Sequence, residues 1–549
     1  MEQSSNPGSA AALENIQHIV VLMFENRSFD HIFGAFPNAN GLINNPLNFK
    51  PDCYNLKDPL SPPSDDNPRI YPKPVDPWHP LPNDFTHDFG DGMMPDLFGP
   101  TFTILGDPQL PTNSNAVYIS GYTQDGLVGQ IQPTPQTYPA TNSGFFTTYN
   151  TCKQQGNPVM SYFEPGRLRI LYHLAEEFVL CDNWHCDMPG HTLPNRAFIH
   201  CGTTGQAGID DTDGSTVNKP SIFDLIDQQS VAPGPTWKMY APFGDGKLGV
   251  LDTRFLNPCL KYYSGACLSQ FEKDCNDCEL PFYSFIMCWT HGIDHYTDTS
   301  MHPPALVQPG ENLLAAVYNT MRNSPSWEDT LLVVTFDENG GMYDHVFPPT
   351  TTPPDPSAPP VAQYTKGCCG NNWILSSTFD FSLLGVRIPA ILISPWLAQG
   401  KIDSTQYQNT SVLHFLIERM NAIYNTNAAF LTARDANAPS LDSAFDQFGM
   451  PEMRTDCPDW ITPYPVLPVT DPFTNSNAIP FSDGKLTAWV PPPGMDSAPP
   501  VSYINEFLDI YVSHLRGHPD SGKRVTRSFA TNAEVDGYIK ERMRAAGLS

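Results

Sequence analysis

The sequence predicts an α/β protein in which helices cover both faces of a mostly parallel sheet. Short, continuous apolar runs rich in β-branched residues are typical of buried parallel strands. These runs occupy residues 16–24, 282–287, 331–336 and 390–394. Segments with helical periodicity lie between them, at 312–322 and 412–420. Alternating strands and helices favour a layered sheet, and ligands of such sheets bind beyond the carboxyl ends of the strands.

The middle of the chain predicts one more strand and two more helices. Residues 166–182, GRLRILYHLAEEFVLCD, have the pattern of a helix that leads into a strand. Residues 194–201 indicate a second helix, with Pro194 in its first turn. The turn between these two segments contains Thr192, just ahead of the expected helix start.

Composition divides the chain into three regions. Residues 1–15 are a polar N-terminal tail, and residues 16–455 are expected to form one α/β catalytic domain. Within that domain, residues 38–151 are dense in Pro, Asn, Asp and Gly, which indicates long loops above the sheet. Residues 456–549 begin with a proline-rich stretch, and we expect this C-terminal segment to pack on the core. It shows helical periodicity at 503–515 and 533–543.

The charge balance limits the class of partner. The 549 residues carry a formal net charge of −28, whereas proteins that bind nucleic acid cluster Lys and Arg on one surface. We therefore expect no nucleic acid partner and no permanent docking on an anionic membrane. A zwitterionic lipid headgroup or a small phosphate ester is compatible with this charge, with at most transient contact at a membrane surface.

Membrane and export signals are not evident in the sequence. Apolar runs stay well short of ~18 residues, so no transmembrane helix is expected. The first residues, MEQSSNPGSAAALENIQ, have neither the basic nor the apolar region of a secretory signal. The use of cysteine and the low content of Lys and Arg nevertheless favour a secreted or periplasmic location slightly over a cytoplasmic one.

Several of the 13 cysteines cluster in the middle of the chain. The spacing of Cys275 and Cys278 is that of half a zinc site or of a redox pair, but zinc needs a second pair of ligands and none is evident. Local disulfides in an extracytoplasmic protein, or unreactive thiols in a reducing compartment, explain the cluster better.

Acidic and amide residues follow two of the predicted strands. Glu25 and Asn26 come directly after the first strand, and Asp337 and Glu338 come directly after the strand at 331–336. Hard divalent cations require several such oxygens that converge on one point. Carboxylates at strand ends also cap the turns that follow them. Two acidic strand ends in one sheet favour a metal site over this structural role.

Thr192 lies between Gly190 and Pro194, ahead of the second predicted helix. A hydroxyl at that position faces the backbone N–H groups and the positive dipole end of the helix, where a phosphoryl group binds favourably. Threonine is also a common cap of a helix N-terminus. The sequence pattern alone leaves both interpretations open.

Three long motifs resemble those of one known family. They are HIVVLMFENRSFDHIFG at 18–34, MPGHTLPNR at 188–196 and TFDENGGMYDHVFPP at 335–349. They resemble the bacterial and plant phosphoesterase family that contains non-haemolytic phospholipases C and acid phosphatases. Shorter matches keep the family's order at 174–182, 302–303, 383–396 and 431–438.

The resemblance implies an alkaline-phosphatase-like, three-layer α/β fold and one catalytic divalent metal ion, with Ca, Mg, Mn and Zn all open. It implies that five residues are metal ligands, of which the last is also the nucleophile: Glu25, Asn26, Asp337, Glu338 and Thr192. The implied catalytic histidines are His87, His302 and His345. The implied substrate-binding residues are His191, Asn195 and Arg196.

The activity that the resemblance implies is that of a phospholipase C, which cleaves a glycerophospholipid such as phosphatidylcholine into diacylglycerol and a phosphorylated headgroup. The covalent intermediate would be a phosphothreonine at Thr192. An acid phosphatase that uses the same site is the alternative. A binding protein that kept the fold without catalysis would have lost a ligand or the nucleophile, and all five positions are filled.

Overall fold

The structure is a computed structural model that describes most of the chain between residues 12 and 464. The described residues are 12–45, 48–57, 62–77, 81, 85, 87–93, 96–97, 122–123, 126–127, 142–151, 158–205, 219–230, 233–241, 266–288, 298–358, 361–366 and 374–464. The helical segments predicted at 503–515 and 533–543 lie outside these ranges.

An eight-stranded, mostly parallel sheet forms the centre of the structure. Its strands in chain order are β1 (His18–Phe24), β2 (Val179–Cys181), β3 (Trp237–Ala241), β4 (Ala266–Cys267), β5 (Tyr283–Met287), β6 (Thr330–Phe336), β7 (Ala390–Ile393) and β8 (Lys401–Asp403). Their order across the sheet is β4-β3-β5-β1-β6-β7-β2-β8. Strand β7 is antiparallel to both of its neighbours, and the other neighbouring pairs are parallel.

The register of β1 and β6 determines where the predicted acidic residues lie. The two strands are parallel neighbours, and Phe24 pairs with Phe336 at their carboxyl ends. Residues 19–24 and the whole of β6 are buried, which explains why both strands are continuous apolar runs. Glu25 and Asp337 therefore leave the sheet side by side at the same edge.

The main helices, in chain order, are α1 (Phe29–Phe33), α2 (Phe145–Thr151), α3 (Arg169–Glu177), α4 (Thr192–Cys201), α5 (Ile222–Gln229), α6 (Leu268–Asn276), α7 (Gln308–Arg322), α8 (Asn409–Tyr424), α9 (Ala433–Asn437) and α10 (Asp442–Phe448). Their main contacts form two groups. Helix α7 contacts α3 and α6, whereas α8 contacts α4 and α9. The predicted α/β fold with a mostly parallel central sheet is confirmed.

Short irregular elements connect the sheet and the helices. Two-stranded ribbons pair Ile43–Asn45 with Asn48–Phe49, Asn55–Leu56 with Arg69–Ile70, Lys73–Pro74 with Ser161–Tyr162, Tyr122–Thr123 with Gly126–Leu127, Trp184–His185 with Tyr407–Gln408, and Val361–Lys366 with Ile374–Phe379. Short turns of other helix types occur at Phe89–Met93, Pro158–Met160 and Pro325–Asp329.

Two helices begin earlier than the sequence pattern indicated. Helix α4 starts at Thr192, because His191 has the extended backbone of an N-cap and Pro194 falls within the first turn. Thr192 is thus the first helical residue and not the cap. Helix α7 starts at Gln308, although Pro309 and Gly310 interrupt the helical pattern there. Proline is tolerated in a first turn because its missing N–H would have no partner in the helix.

Residues 457–464, which we call the C-terminal strap, run along helix α7. Asn319 accepts from the Ile461 N–H at 2.7 Å and donates to the Ile461 carbonyl at 3.0 Å. Asn312 does the same for Tyr464, at 2.7 and 3.4 Å. Cys457, Ile461 and Tyr464 are buried in the main hydrophobic core. The beginning of the C-terminal segment therefore packs on the core.

Eight cysteines have free thiols, and they include Cys275 and Cys278 of the cluster noted in the sequence: Cys53, Cys181, Cys186, Cys201, Cys275, Cys278, Cys288 and Cys457. Burial raises the pKa of the Cys275 thiol above its ordinary range, so this thiol is unreactive. Among the helices within the described ranges, none has the length and apolar character required to cross a bilayer.

Candidate active site

The two acidic strand ends meet at the carboxyl edge of the sheet. Glu25, Asn26, Asp337 and Glu338 are all buried. The Asn26 N–H donates to Asp337 Oδ1 at 3.1 Å, and the Glu338 N–H donates to the same oxygen at 2.7 Å. The Arg27 N–H donates to the Glu338 carbonyl at 3.1 Å. These bonds tie the turn after β1 to the turn after β6.

Both turns require unusual backbone conformations. Asn26 has φ 57°, in the left-handed region that asparagine tolerates better than most residues. Gly340 has φ 61°, and a Cβ added there would lie 2.4 Å from the Asn26 carbonyl oxygen. The Gly340 N–H donates to Glu338 Oε2 at 2.5 Å. A glycine is needed at this position, because the turn after β6 presses against Asn26.

Thr192 is held beside Asn26. Its hydroxyl Oγ1 donates to Asn26 Oδ1 at 3.3 Å. The loop that precedes Thr192 is fixed by Asn195, which accepts from the Met188 N–H at 3.1 Å and donates to the Met188, Gly190 and His191 carbonyls at 3.1 to 3.2 Å. We predicted that Asn195 binds substrate, and in the structure its side chain hydrogen-bonds to this loop.

Three of the predicted histidines gather around Asn26 and Thr192. His87 Nδ1 donates to the Phe85 carbonyl at 2.5 Å, so its Nε2 can accept from Asn26 Nδ2 at 3.1 Å. His87 Nε2 also lies 3.5 Å from Glu338 Oε1. The ring centroid of His87 is 4.7 Å from that of His191 and 6.4 Å from that of His302. A group that can act as acid or base therefore lies beside Asn26 and Glu338.

Arg196 lies on the other side of the carboxylates. Its Nε donates to Asp337 Oδ2 at 3.1 Å, and its terminal nitrogen donates to Glu25 Oε1 at 3.2 Å. Burial raises the pKa of Glu25 to about 7, the Arg196 charge opposes this shift and the Asp337 charge adds to it. The sequence predicted that Arg196 binds substrate, whereas its bonds in the structure are to two predicted metal ligands.

The structure places the fourth predicted histidine, His345, in a different cluster. His345 Nδ1 lies 2.7 Å from Asp30 Oδ2, and Asp344 is adjacent. Asp30, Asp344 and His345 are close enough together to hold a metal ion. However, Arg387 donates to Asp30 at 3.1 Å and to Asp344 at 2.9 Å, so a guanidinium already pairs with both carboxylates. This cluster links α1 to the loop after β6 as a buried ion-pair network.

Two further residues near Glu25 were not anticipated from the sequence. Asp298 is buried and its charge acts on the pKa of Glu25, as does that of His302. Cys288, directly after β5, has its sulfur 3.8 Å from Glu25 Oε1. Asp298 lies four residues before His302 in the stretch DTSMHP. An acidic residue so close to a candidate histidine could have indicated that Asp298 belongs to the site.

Comparisons with known proteins identify the family of the chain. A family model described as the phosphoesterase family matches residues 16–422. Non-specific phospholipase C3 of Arabidopsis thaliana is 28% identical over 471 residues, which cover 83% of this chain and 77% of that protein. Phospholipase C A of Mycobacterium tuberculosis (strain CDC 1551 / Oshkosh) is 26% identical over 471 residues, which cover 81% of this chain and 79% of that protein.

Among solved structures, a protein in the alkaline phosphatase superfamily from Vibrio parahaemolyticus is 14% identical with a TM-score of 0.28, over 49% of this chain and 63% of that chain. The family model, in contrast, spans most of the 549 residues. The chain therefore belongs to the phosphoesterase family, as its motifs predicted, and is a hydrolase of phosphate ester bonds.

Proposed function

We propose that this protein is a metal-dependent phospholipase C that hydrolyses a glycerophospholipid through a covalent intermediate on Thr192. The main support for the proposal is the hydrogen bond from the Thr192 hydroxyl to Asn26. It lies where the carboxylates that follow β1 and β6 come together. The nucleophile and the acidic groups thus occupy one buried site at the carboxyl edge of the sheet, where ligands of α/β folds bind.

The side chains at this point fit a hard divalent cation. Glu25, Asn26, Asp337, Glu338 and Thr192 offer only oxygen ligands, the donor type that Ca²⁺, Mg²⁺ and Mn²⁺ prefer. They are buried, and their acidic charges call for a cation in addition to Arg196. When bound there, a divalent ion would supply positive charge that favours the ionised Thr192 hydroxyl and the oxygens of the phosphate.

Thr192 is positioned to attack phosphorus. Its Oγ1 would form a new bond to phosphorus as the bond to the diacylglycerol oxygen breaks, in line with it. A neighbouring base such as His87 would accept the Thr192 proton and then donate it to the leaving diacylglycerol oxygen. As the first residue of α4, Thr192 lies where backbone N–H groups point at the ligand, so charge on the transferred group is stabilised by the helix N-terminus.

The neighbouring histidines would transfer protons. The leaving alkoxide needs a proton, and His87 and His302 are the candidate acids because His87 contacts Asn26 and the two rings are 6.4 Å apart. One of these histidines, left as a base, would then activate the water that hydrolyses the phosphothreonine. Nδ1 of His87 is engaged with the Phe85 carbonyl, so Nε2 is the nitrogen that exchanges protons.

The substrate assignment is supported by the relatives, which are named phospholipases C, and by the net charge of −28. That charge disfavours anionic surfaces and is compatible with a zwitterionic headgroup. The same residues could hydrolyse a phosphomonoester, so an acid phosphatase is the second candidate. A diester requires space for a group on each side of phosphorus, whereas a monoester requires it on one side only.

The discriminating experiment compares phosphatidylcholine with p-nitrophenyl phosphate, each with added Ca²⁺, Mg²⁺, Mn²⁺ or Zn²⁺ and each with a chelator. A phospholipase C releases diacylglycerol and phosphocholine at a far higher kcat/KM than it releases p-nitrophenol, and the chelator abolishes both reactions. Faster turnover of p-nitrophenyl phosphate would support the phosphatase. Full activity after exhaustive chelation would contradict the metal site.

A further inference from the structure

Arg196 connects the three elements that build the proposed active site. It lies on α4, four residues after Thr192, so both side chains lie on the same face of that helix. Its guanidinium reaches Glu25 at the end of β1 and Asp337 at the end of β6. The Arg196 side chain is 1% exposed, and the two carboxylates are 3% and 0% exposed. The nucleophile helix is therefore fastened to both ligand strands by one buried side chain.

The contacts of Asp337 show how completely this carboxylate is oriented. Its Oδ2 accepts from Arg196 Nε, and its Oδ1 accepts from the backbone N–H groups of Asn26 and Glu338. Both oxygens are thus fixed by the protein itself. Glu25 is fixed through Oε1 by the other end of the same guanidinium. A planar guanidinium holds two such acceptors at set angles, which a lysine ammonium cannot do.

Other buried arginines in the described part of the chain bind elsewhere. Arg27 donates to the Met301 and Ala305 carbonyls, which holds the loop of His302. Arg387 pairs with Asp30 and Asp344, and Arg434 pairs with Asp187. Arg196, in contrast, donates to two predicted metal ligands, Glu25 and Asp337.

We propose that Arg196 is a positioning residue that holds Glu25, Asp337 and Thr192 in the geometry of the metal centre, and that it is not a ligand of the substrate phosphate. This inference rests on the proposed function. A guanidinium that turned towards a phosphate would lose its two buried hydrogen bonds to Glu25 and Asp337, which is unfavourable.

The test uses Arg196→Lys in the full-length protein. This substitution keeps the positive charge but removes the planar guanidinium that binds two carboxylates at once. The dissociation constant of Mn²⁺ is measured by calorimetry on metal-free protein without substrate. Loss of a residue that hydrogen-bonds to a metal ligand typically weakens metal binding 10- to 100-fold. We expect the dissociation constant to rise by a factor of that size. The matched control is Arg167→Lys, an exposed arginine paired with Glu164, which should bind Mn²⁺ like the unmodified protein.

Kinetics with p-nitrophenyl phosphate separate positioning from substrate binding. At saturating Mn²⁺ we expect Arg196→Lys to lower kcat with KM nearly unchanged, because the misplaced group is Thr192. A higher KM together with an unchanged Mn²⁺ affinity would overturn the proposal and make Arg196 a substrate ligand. Absence of Mn²⁺ binding by the unmodified protein would contradict the metal centre itself, and the proposal for Arg196 with it.

A second variant covers the case in which Arg196→Lys does not fold. Arg196→Gln keeps a hydrogen-bond donor of similar reach without charge, and its circular dichroism and melting temperature are measured beside its Mn²⁺ affinity. Weaker Mn²⁺ binding by a folded Arg196→Gln protein supports the proposal. Loss of the folded state in both variants would overturn it in favour of a role in stability alone.

Discussion

At the scale of single residues, Asn26 joins the parts of the proposed mechanism. Its backbone N–H donates to Asp337, its side-chain oxygen accepts from Thr192 and its side-chain nitrogen contacts His87. It does this from a left-handed backbone conformation, which only a few residue types adopt without strain. Asn26 therefore orients a nucleophile, a carboxylate and a candidate proton-transfer group at the same time.

Asp337→Asn tests the metal ligands at the residue scale. An amide at this position keeps the size of the side chain but removes the charge that attracts a divalent ion, and it disrupts the bond from Arg196. We expect the metal content of dialysed protein, measured by elemental analysis, to fall at least tenfold. Asp355→Asn is the control, because Asp355 is exposed and bonded to Ser357. Equal metal content in Asp337→Asn and unmodified protein would remove Asp337 from the ligand set.

At the scale of secondary-structure elements, α7 organises the side of the sheet that carries the His302 loop. Glu311 in its first turn accepts from the Ile170 and Leu171 N–H groups, both at 2.9 Å. It thus supplies the hydrogen-bond acceptor that these N–H groups lack within the first turn of α3. Asn312 and Asn319, two turns apart on α7, hold the backbone of the C-terminal strap. One helix thus fixes both another helix and the beginning of the C-terminal segment.

Glu311 makes the stability of this region depend on pH. Burial raises its pKa from 4.5 to about 7, although the bonds from Leu171 and Ile170 act in the opposite direction. Between these values the folded protein retains the Glu311 proton and the unfolded chain loses it, so this contribution to stability is full below pH 4.5 and is lost as pH rises to 7.

We therefore expect Glu311→Gln, which cannot ionise, to lose less stability than the unmodified protein when pH rises through this range. A shift of this size corresponds to about 3 kcal/mol in the free energy of unfolding. Urea unfolding of both proteins at several pH values measures the difference. Parallel pH profiles for the two proteins would show that Glu311 is already ionised in the folded state.

Features that are determined by neighbouring residues were predicted from the sequence, whereas contacts between residues far apart in the chain were not. Strands β1 and β6 were predicted because both of their faces are buried, which makes each a continuous apolar run. The acidic groups at their ends were placed correctly at one edge by the same reasoning. Strand β3, with the sequence WKMYA, has no such run, so the sheet is wider than the pattern indicated.

The roles of buried arginines could not be read from the sequence. Arg196 and Glu25 are 171 positions apart, and Arg387 and Asp30 are 357 positions apart. No local pattern distinguishes an arginine that pairs across such a distance from one on the surface. For the same reason His345, which follows the DENGG motif closely, was predicted at the catalytic centre, whereas its contacts are to Asp30 and Arg387.

At the scale of the whole molecule, the C-terminal strap joins the segment that follows it to the catalytic core. Asn312 and Asn319 contribute four hydrogen bonds to buried backbone groups of the strap. Their joint replacement by alanine leaves those N–H and C=O groups without these partners, at a cost of 1–3 kcal/mol for each buried unsatisfied group. The strap therefore depends on two side chains of α7.

We expect the Asn312→Ala, Asn319→Ala double variant to unfold at a clearly lower temperature, with a loss of about 3 kcal/mol or more in stability. Limited proteolysis should also cut it near residues 456–464 sooner than the unmodified protein. The matched control is Asn437→Ala, an exposed asparagine whose side chain bonds within α9. A double variant as stable and as resistant as the control would show that the strap is held by its apolar contacts alone.

The centre formed by Thr192 and its neighbouring ligands is tested most directly by Thr192→Ala. Both proteins are mixed with p-nitrophenyl phosphate or phosphatidylcholine, quenched with acid and examined by mass spectrometry of the peptide that contains residue 192. We expect a phosphoryl or phospho-headgroup adduct on Thr192 of the unmodified protein. We expect no adduct and no measurable turnover in Thr192→Ala, which should retain part of its bound metal. Normal turnover by Thr192→Ala would show that Thr192 is not the nucleophile.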